Sequence, residues 1–226
     1  MKRKIAVIDA TRVSLAPVDN TVAELYPELQ VIHLMDEGMS YLAKEEGRIS
    51  GANLSRMVSL INRAESLGAQ GILLSCTIFS PYIELLRSFA DIPIVAADVA
   101  MFEKATADYR KIGVIVTFGP TVKSVSAVLE KCRENGVEFS AEIRVAEGAF
   151  EALSKGDEAE HNRLVADCAR ELSESCDAVV LAQMSHMRVL SLLSDLKVPV
   201  LTSPPVSLRL LMDKIEEMNK ASENME

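Results

Sequence analysis

The chain has 226 residues, 49% of them hydrophobic, with 24 Lys and Arg against 33 Asp and Glu for a net charge of −9, and four cysteines. A chain this long and this apolar buries a core, which excludes disorder, and an acidic excess that no Lys/Arg-rich cluster compensates argues against nucleic acid as a partner. The cysteines show neither CxxC pairing nor zinc-finger spacing with histidine, so a cytoplasmic protein with reduced thiols is expected.

The basic start Met1-Lys2-Arg3-Lys4 leads into an apolar run that Asp9 and Arg12 interrupt. It reads as a first strand, Lys4–Asp9, and not as a leader segment. No stretch reaches the roughly 18 apolar residues that cross a bilayer, so no membrane partner is expected. A second β-branched run follows at Gln30–Leu34, and then Leu54, Met57/Val58, Ile61 and Ala64/Glu65 recur at helical period up to Gly68. Strands are predicted at Gly71–Cys76, Pro93–Ala97 and Ile112–Thr117. Val122, Val125, Leu129 and Cys132 make a helix before Asn135-Gly136. Leu164, Cys168 and Leu172 make another, with Asp157 as its cap. Strands at Ala178–Gln183 and Pro199–Thr202 precede a C-terminal helix carrying Leu208, Leu211 and Ile215. Alternating strands and helices predict an α/β fold with parallel sheets.

The sequence also repeats itself. Lys4-Ile5-Ala6-Val7-Ile8 returns as Lys111-Ile112-Gly113-Val114-Ile115, and Gly71–Cys76 falls on Ala178–Gln183 at the same distance, since from 76 to 183 is 107 residues. Ile92-Pro93-Ile94-Val95 meets Val198-Pro199-Val200-Leu201 one residue out of step. Strands matching at one offset indicate internal duplication. The expectation is two pseudo-twofold-related lobes, residues 1–98 with 207–226 and residues 99–206, each a parallel sheet flanked by helices. Ligands of such sheets bind at the carboxyl ends of the strands, which makes Cys76 and Gln183 the paired positions, one per lobe, facing a shared cleft.

Cys76 is followed by Thr77-Ile78-Phe79-Ser80-Pro81, where Ser80 fits a helix N-cap and Pro81 the first helical position. The positive end of a helix favours the thiolate of a group whose ordinary pKa is roughly 8.5. The 107-residue offset sets Cys132, Cys168 and Cys176 on Leu25, Ile61 and Ala69, so these three read as packing residues. On residue grounds alone Cys76 fits equally a reactive thiol and a small buried residue closing a strand.

With the repeat and these motifs in view, the chain resembles the aspartate/glutamate racemase superfamily, which includes glutamate, aspartate and hydantoin racemases, maleate isomerase and arylmalonate decarboxylase. The resemblance rests on Asp9-Ala10-Thr11, Leu74-Ser75-Cys76-Thr77, Ile112–Thr117 with Thr121 after it, and Val180-Leu181-Ala182-Gln183. It spans essentially the whole chain. Racemases of that superfamily use two cysteines, one per lobe, on opposite faces of the substrate's α-carbon. The resemblance makes Cys76 the first of them, and Gln183 stands where the second would be. An amide exchanges no proton at neutral pH, so the symmetric two-thiol mechanism is not available here.

The same resemblance implies cofactor-free chemistry on a small carboxylate or carbonyl compound. Such chemistry needs donors for the charge that develops at the α-carbon. Candidates are the backbone amides after Cys76 and Gln183 and the hydroxyls of Thr11, Thr77, Thr117 and Thr121, each of which also fits an ordinary cap or turn. Gln183 is expected to hold a substrate carboxylate or carbonyl. His186, three residues on, is a candidate second proton donor and equally an exposed loop histidine. Asp9 fits a cleft residue or a strand-end cap, Asp36-Glu37 a solvated loop, and neither is given a role. Three functions follow as expectations: a racemase or isomerase with Cys76 as base or nucleophile, a single-thiol lyase, and a binding protein that kept the cleft without its catalysis. No metal or organic cofactor is expected: His33, His161 and His186 lie far apart in sequence, and Gly113 and Gly119 form no dinucleotide fingerprint. A homodimer or higher homo-oligomer is expected from family analogy.

Overall fold

The apolar run Lys4–Asp9 forms the first strand, β1, buried throughout past Lys4, as expected of a strand paired on both sides and covered on both faces. The computed structural model describes residues 3–223. After β1 come α1 (Leu15–Leu25), β2 (Gln30–Met35), α2 (Gly38–Glu46), α3 (Gly51–Ser66), β3 (Ile72–Leu74), a 3-10 segment (Thr77–Tyr82), α4 (Ile83–Arg87) and β4 (Ile94–Ala96). Then follow α5 (Ala97–Asp108), β5 (Lys111–Val116), α6 (Gly119–Glu134), β6 (Ser140–Val145), α7 (Ala149–Ser154), α8 (Glu158–Ser173) and β7 (Ala178–Leu181). A second 3-10 segment (Met184–Leu193), β8 (Val200–Thr202) and α9 (Ser203–Glu223) complete the chain.

The strands form two parallel sheets of the same order, β2-β1-β3-β4 and β6-β5-β7-β8. The duplication reaches the register: Ile8 pairs with Leu74 in the first sheet, and their counterparts Ile115 and Leu181 pair in the second. The chain divides into two units, one running up to Ala97 and resuming from Pro204, the other Asp98–Ser203. The helix after the last strand of each sheet is therefore assigned to the other unit, α5 to the second and α9 to the first.

In the second unit, strand alternation divides the core. Ile112, Val114, Val116, Ala178 and Val180 pack on Met101, Phe102 and Ala105 of α5 and on Val125 and Leu129 of α6. The intervening Ile115, Val179 and Leu181 pack on Val165, Ala169 and Leu172 of α8. Each large side chain so buried stabilises the fold by roughly 1.5–3 kcal/mol. In the first unit, Gly71 lets α9 come close to the start of β3: a Cβ there would lie 2.8 Å from Ile215 Cδ1 and 2.9 Å from Leu211 Cδ1.

Continuous apolar runs missed β6, because an edge strand is only half buried and alternates in polarity. Its Glu142 and Arg144 form an ion pair that extends to Glu171. The N-cap expected at Ser80 needs correction. Thr77–Tyr82 is a 3-10 segment that contains Pro81, α4 starts only at Ile83 after Tyr82, and Ser80 is buried.

Candidate functional site

The order β2-β1-β3-β4 places a topological switch between β1 and β3, and the equivalent switch in the second sheet lies between β5 and β7. At such a switch the loops leaving neighbouring strands part and open a crevice at the carboxyl ends. In the first unit the segments there are Asp9-Ala10-Thr11 and Ser75-Cys76-Thr77, and in the second Thr117-Phe118 and Gln183. Cys76 is the extended residue that opens the 3-10 segment, and its carbonyl accepts from the Phe79 amide at 3.2 Å. Gln183 opens its segment in the same way, its carbonyl accepting from the His186 amide at 3.0 Å.

Cys76 is half-buried, whereas Cys132, Cys168 and Cys176 are buried, and none of the four is in a disulfide. Burial pushes the thiol of Cys168 up to about 11 and raises that of Cys132, so neither ionises readily near neutrality. Thr77 beside Cys76 is half-buried, and Thr11 is exposed without a side-chain cap bond.

Asp9 carries a network that sequence reasoning did not find. Its carboxylate is 0% exposed. Oδ1 lies 2.6 Å from Ser14 Oγ and 2.6 Å from Ser75 Oγ. Ser75 Oγ is also 3.2 Å from the Ile8 carbonyl, and with one proton to give, the shorter contact to a carboxylate takes it. Oδ2 lies 2.7 Å from His33 Nδ1, and His33 Nε2 lies 2.9 Å from Asp19 Oδ1. An ionised carboxylate only accepts, so both ring nitrogens carry protons and His33 is an imidazolium. The hydrogen bond to Asp9 is the largest cause of its pKa rising to about 9, with Asp19 adding to it against the cost of burial. Nothing in the local sequence marks this arrangement, because it needs β1, β2 and α1 brought together.

In the second unit the backbone nitrogen and hydroxyl of Thr117 lie 2.7 and 2.9 Å from Gln183 Oε1. A backbone N–H only donates, which fixes the amide: its oxygen faces Thr117 and its NH2 group is left to donate elsewhere. Thr121 is half-buried in the first turn of α6, its amide donating to the Phe118 carbonyl at 2.9 Å. The rings of Phe118 and Phe150 stack at 4.7 Å between centroids.

His186 does not sit in an exposed loop. It is 0% exposed, neither ring nitrogen has a partner, and burial depresses its pKa to about 3, with His161 adding to the effect. The His161 ring lies 5.9 Å away, its Nδ1 donating to the Ala149 carbonyl at 3.0 Å. A neutral ring cut off from water is poorly suited to deliver a proton to substrate, and this burial weakens the expectation that His186 replaces the second thiol. Among the described residues no group of three or more His, Cys, Asp or Glu side chains converges as metal ligands. No helix among them is long and apolar enough to cross a membrane.

The sequence profile of the Asp/Glu/Hydantoin racemase family matches residues 8–211. The chain belongs to this family. Solved structures agree on the racemase-family fold. Aspartate racemase from Picrophilus torridus superposes with a TM-score of 0.72 at 11% identity, over 95% of this chain and 94% of that one. Allantoin racemase from Klebsiella pneumoniae gives 0.71 at 18% identity, over 93% and 86%. Arylmalonate decarboxylase gives 0.64 at 20% identity, over 94% and 92%. Comparison with curated proteins gives no match. At these identities the likeness to the solved structures is one of fold, and the reaction of this family member has to be argued from its own residues.

Proposed function

We propose that the protein is a cofactor-independent enzyme of racemase or isomerase type acting at the carbon next to a carboxylate or carbonyl of a small molecule. Cys76 serves as base or nucleophile, and Gln183 holds a substrate oxygen. The observation that carries this reading is the asymmetry of two equivalent positions. One holds a half-buried thiol, while the other holds an amide whose oxygen is tied to Thr117 and whose NH2 is left to donate. A thiol moves protons and a fixed amide donor steadies negative charge on oxygen, the two functions that forming and holding an enolate require. Thr77, Thr121 and the exposed Thr11 are further candidates for substrate contact, while the Thr117 hydroxyl is committed to orienting Gln183. We further read the protein as a cytoplasmic homo-oligomer, in keeping with cysteines that form no disulfide and with its family.

The burial of His186 favours a second reading, a lyase. When a carboxylate leaves as carbon dioxide, its bonding electrons stay on the α-carbon as an enediolate, and one thiol suffices to protonate it. Isomerisation through a thiolate that adds to the substrate also needs only one cysteine.

The test is solvent deuterium incorporation, followed by NMR, into small carboxylic acids, malonates and hydantoins with wild type and with Cys76→Ser. Exchange or product that falls at least a hundredfold in the variant, the scale on which acid–base groups contribute, supports the reading. Carbon dioxide release separates lyase from isomerase. Turnover indifferent to Cys76→Ser overturns it.

A further inference from the structure

We propose that His33 is a positioning residue for Cys76: bridging Asp9 and Asp19, it holds the Asp9 carboxylate against Ser75 and so fixes the turn that presents the thiol. The proposal rests on Cys76 being the reacting group. Four segments meet in this clamp: β1 through Asp9, α1 through Asp19, β2 through His33, and the turn after β3 through Ser75. The Ser75 backbone adds a second tie, its amide donating to the Ile8 carbonyl at 3.2 Å. Cys76 follows directly, so the position of its backbone is set by a residue with two bonds to the end of β1.

His33 is needed because Asp9 is fully buried. Two serine hydroxyls alone leave a buried carboxylate without a counter-charge, which then takes up a proton or turns toward water, and in either case releases Ser75. Arg12, three residues after Asp9, pairs with Glu37 at 3.3 Å, and Arg56 of α3 pairs with Asp36 at 2.8 Å. The charged groups acting on His33 are Asp9 and Asp19, both acidic and both favouring its protonated form. The clamp holds at neutral pH and loosens as the imidazolium gives up its proton at alkaline pH.

The test uses the 15N-labelled full chain carrying Cys76→Ser, which removes the thiol's own titration, followed by NMR from pH 6 to 10.5. The His33 ring is expected to titrate near pH 9, with the backbone amides of residues 75 and 76 shifting at the same midpoint. Adding Asp19→Asn should move both midpoints to lower pH together, and adding His33→Gln should abolish the amide inflection. If the His33 variant does not fold, Asp19→Asn carries the comparison alone, since the Asp19 side chain is 56% exposed. Amides at 75 and 76 that stay flat while His33 titrates overturn the proposal, as does a midpoint there that Asp19→Asn leaves in place. No substrate enters this measurement, so a failure of turnover and a failure of the clamp are read separately.

Discussion

Gln183 turns its side-chain oxygen onto both the amide and the hydroxyl of Thr117, at 2.7 and 2.9 Å. Position 117 corresponds by the repeat to Ala10, which has no hydroxyl to give, just as Gln183 corresponds to Cys76. The two ends of the duplicated motif have thus diverged as pairs, Ala with Cys and Thr with Gln.

If the NH2 of Gln183 binds a substrate oxygen, Gln183→Glu keeps the acceptor for Thr117 and replaces the donor by a second carboxylate oxygen. A hydrogen bond to a charged group contributes about 1.5–3 kcal/mol, so kcat/KM should fall on the order of ten- to a hundredfold. Steady-state kinetics on the substrate found in the exchange screen check this. The far-UV spectrum should stay unchanged.

Cys76 should be the thiol that reacts first. Iodoacetamide applied to the native protein at pH 8 should add one carbamidomethyl group, mapped by mass spectrometry to Cys76, because Cys132, Cys168 and Cys176 are buried. All four should react after unfolding in urea. Native labelling spread over several cysteines would contradict the burial on which this contrast rests.

The buried His186 makes the second unit acid-sensitive. Its folded pKa lies near 3 against 6.5 when exposed. At pH above 6.5 both states are neutral and the group adds no pH dependence. As pH falls from about 6.5 toward 3, the unfolded chain binds a proton that the folded one refuses, and stability is lost across that window. The equivalent residue in the first unit is Phe79, also 0% exposed. His186→Phe should therefore flatten the decline measured by urea denaturation between pH 6.5 and 4. At pH 7 it should raise stability by about 1 kcal/mol, since it removes a ring with two unpartnered nitrogens.

Gly71→Ala drives a Cβ to within 2.9 Å of Ile215 and Leu211. Overpacking of this kind costs about 1–3 kcal/mol, equivalent to a fall in Tm of several degrees for a chain of this size. Calorimetry checks it. Gly119→Ala is the control, because nothing lies within 4 Å of a Cβ there.

The architecture was readable because its signals are local and repeated. Seven of the eight strands fall on the apolar runs that predict them, β2 and β5 extending one residue beyond theirs, and the 107-residue offset anticipates the shared register of Ile8 with Leu74 and Ile115 with Leu181. The strand that escaped, β6, lies at a sheet edge, where half-exposure lets Glu142 and Arg144 break the apolar run. The helices α1, α2, α5 and α7 escaped as well; α2, α5 and α7 are short or mixed segments of weak periodicity.

Residue order alone was enough to place Cys76 and Gln183 at equivalent strand ends, because the end of an apolar run and a repeat offset are properties of the chain in one dimension. Folding decided what those residues do to their neighbours. Asp9 carries no mark in the sequence that distinguishes a solvated cap from a buried anchor, and His33 looked like one isolated histidine among three. Parallel pairing of β1 with β2 and the return of α1 bring two carboxylates to its ring, while the packing of α8 against the second 3-10 segment seals His186 away from water. Charge state and burial depend on what surrounds a group in three dimensions, and residues 24 and 25 positions apart, Asp9 with His33 and His161 with His186, become neighbours only when the chain is folded.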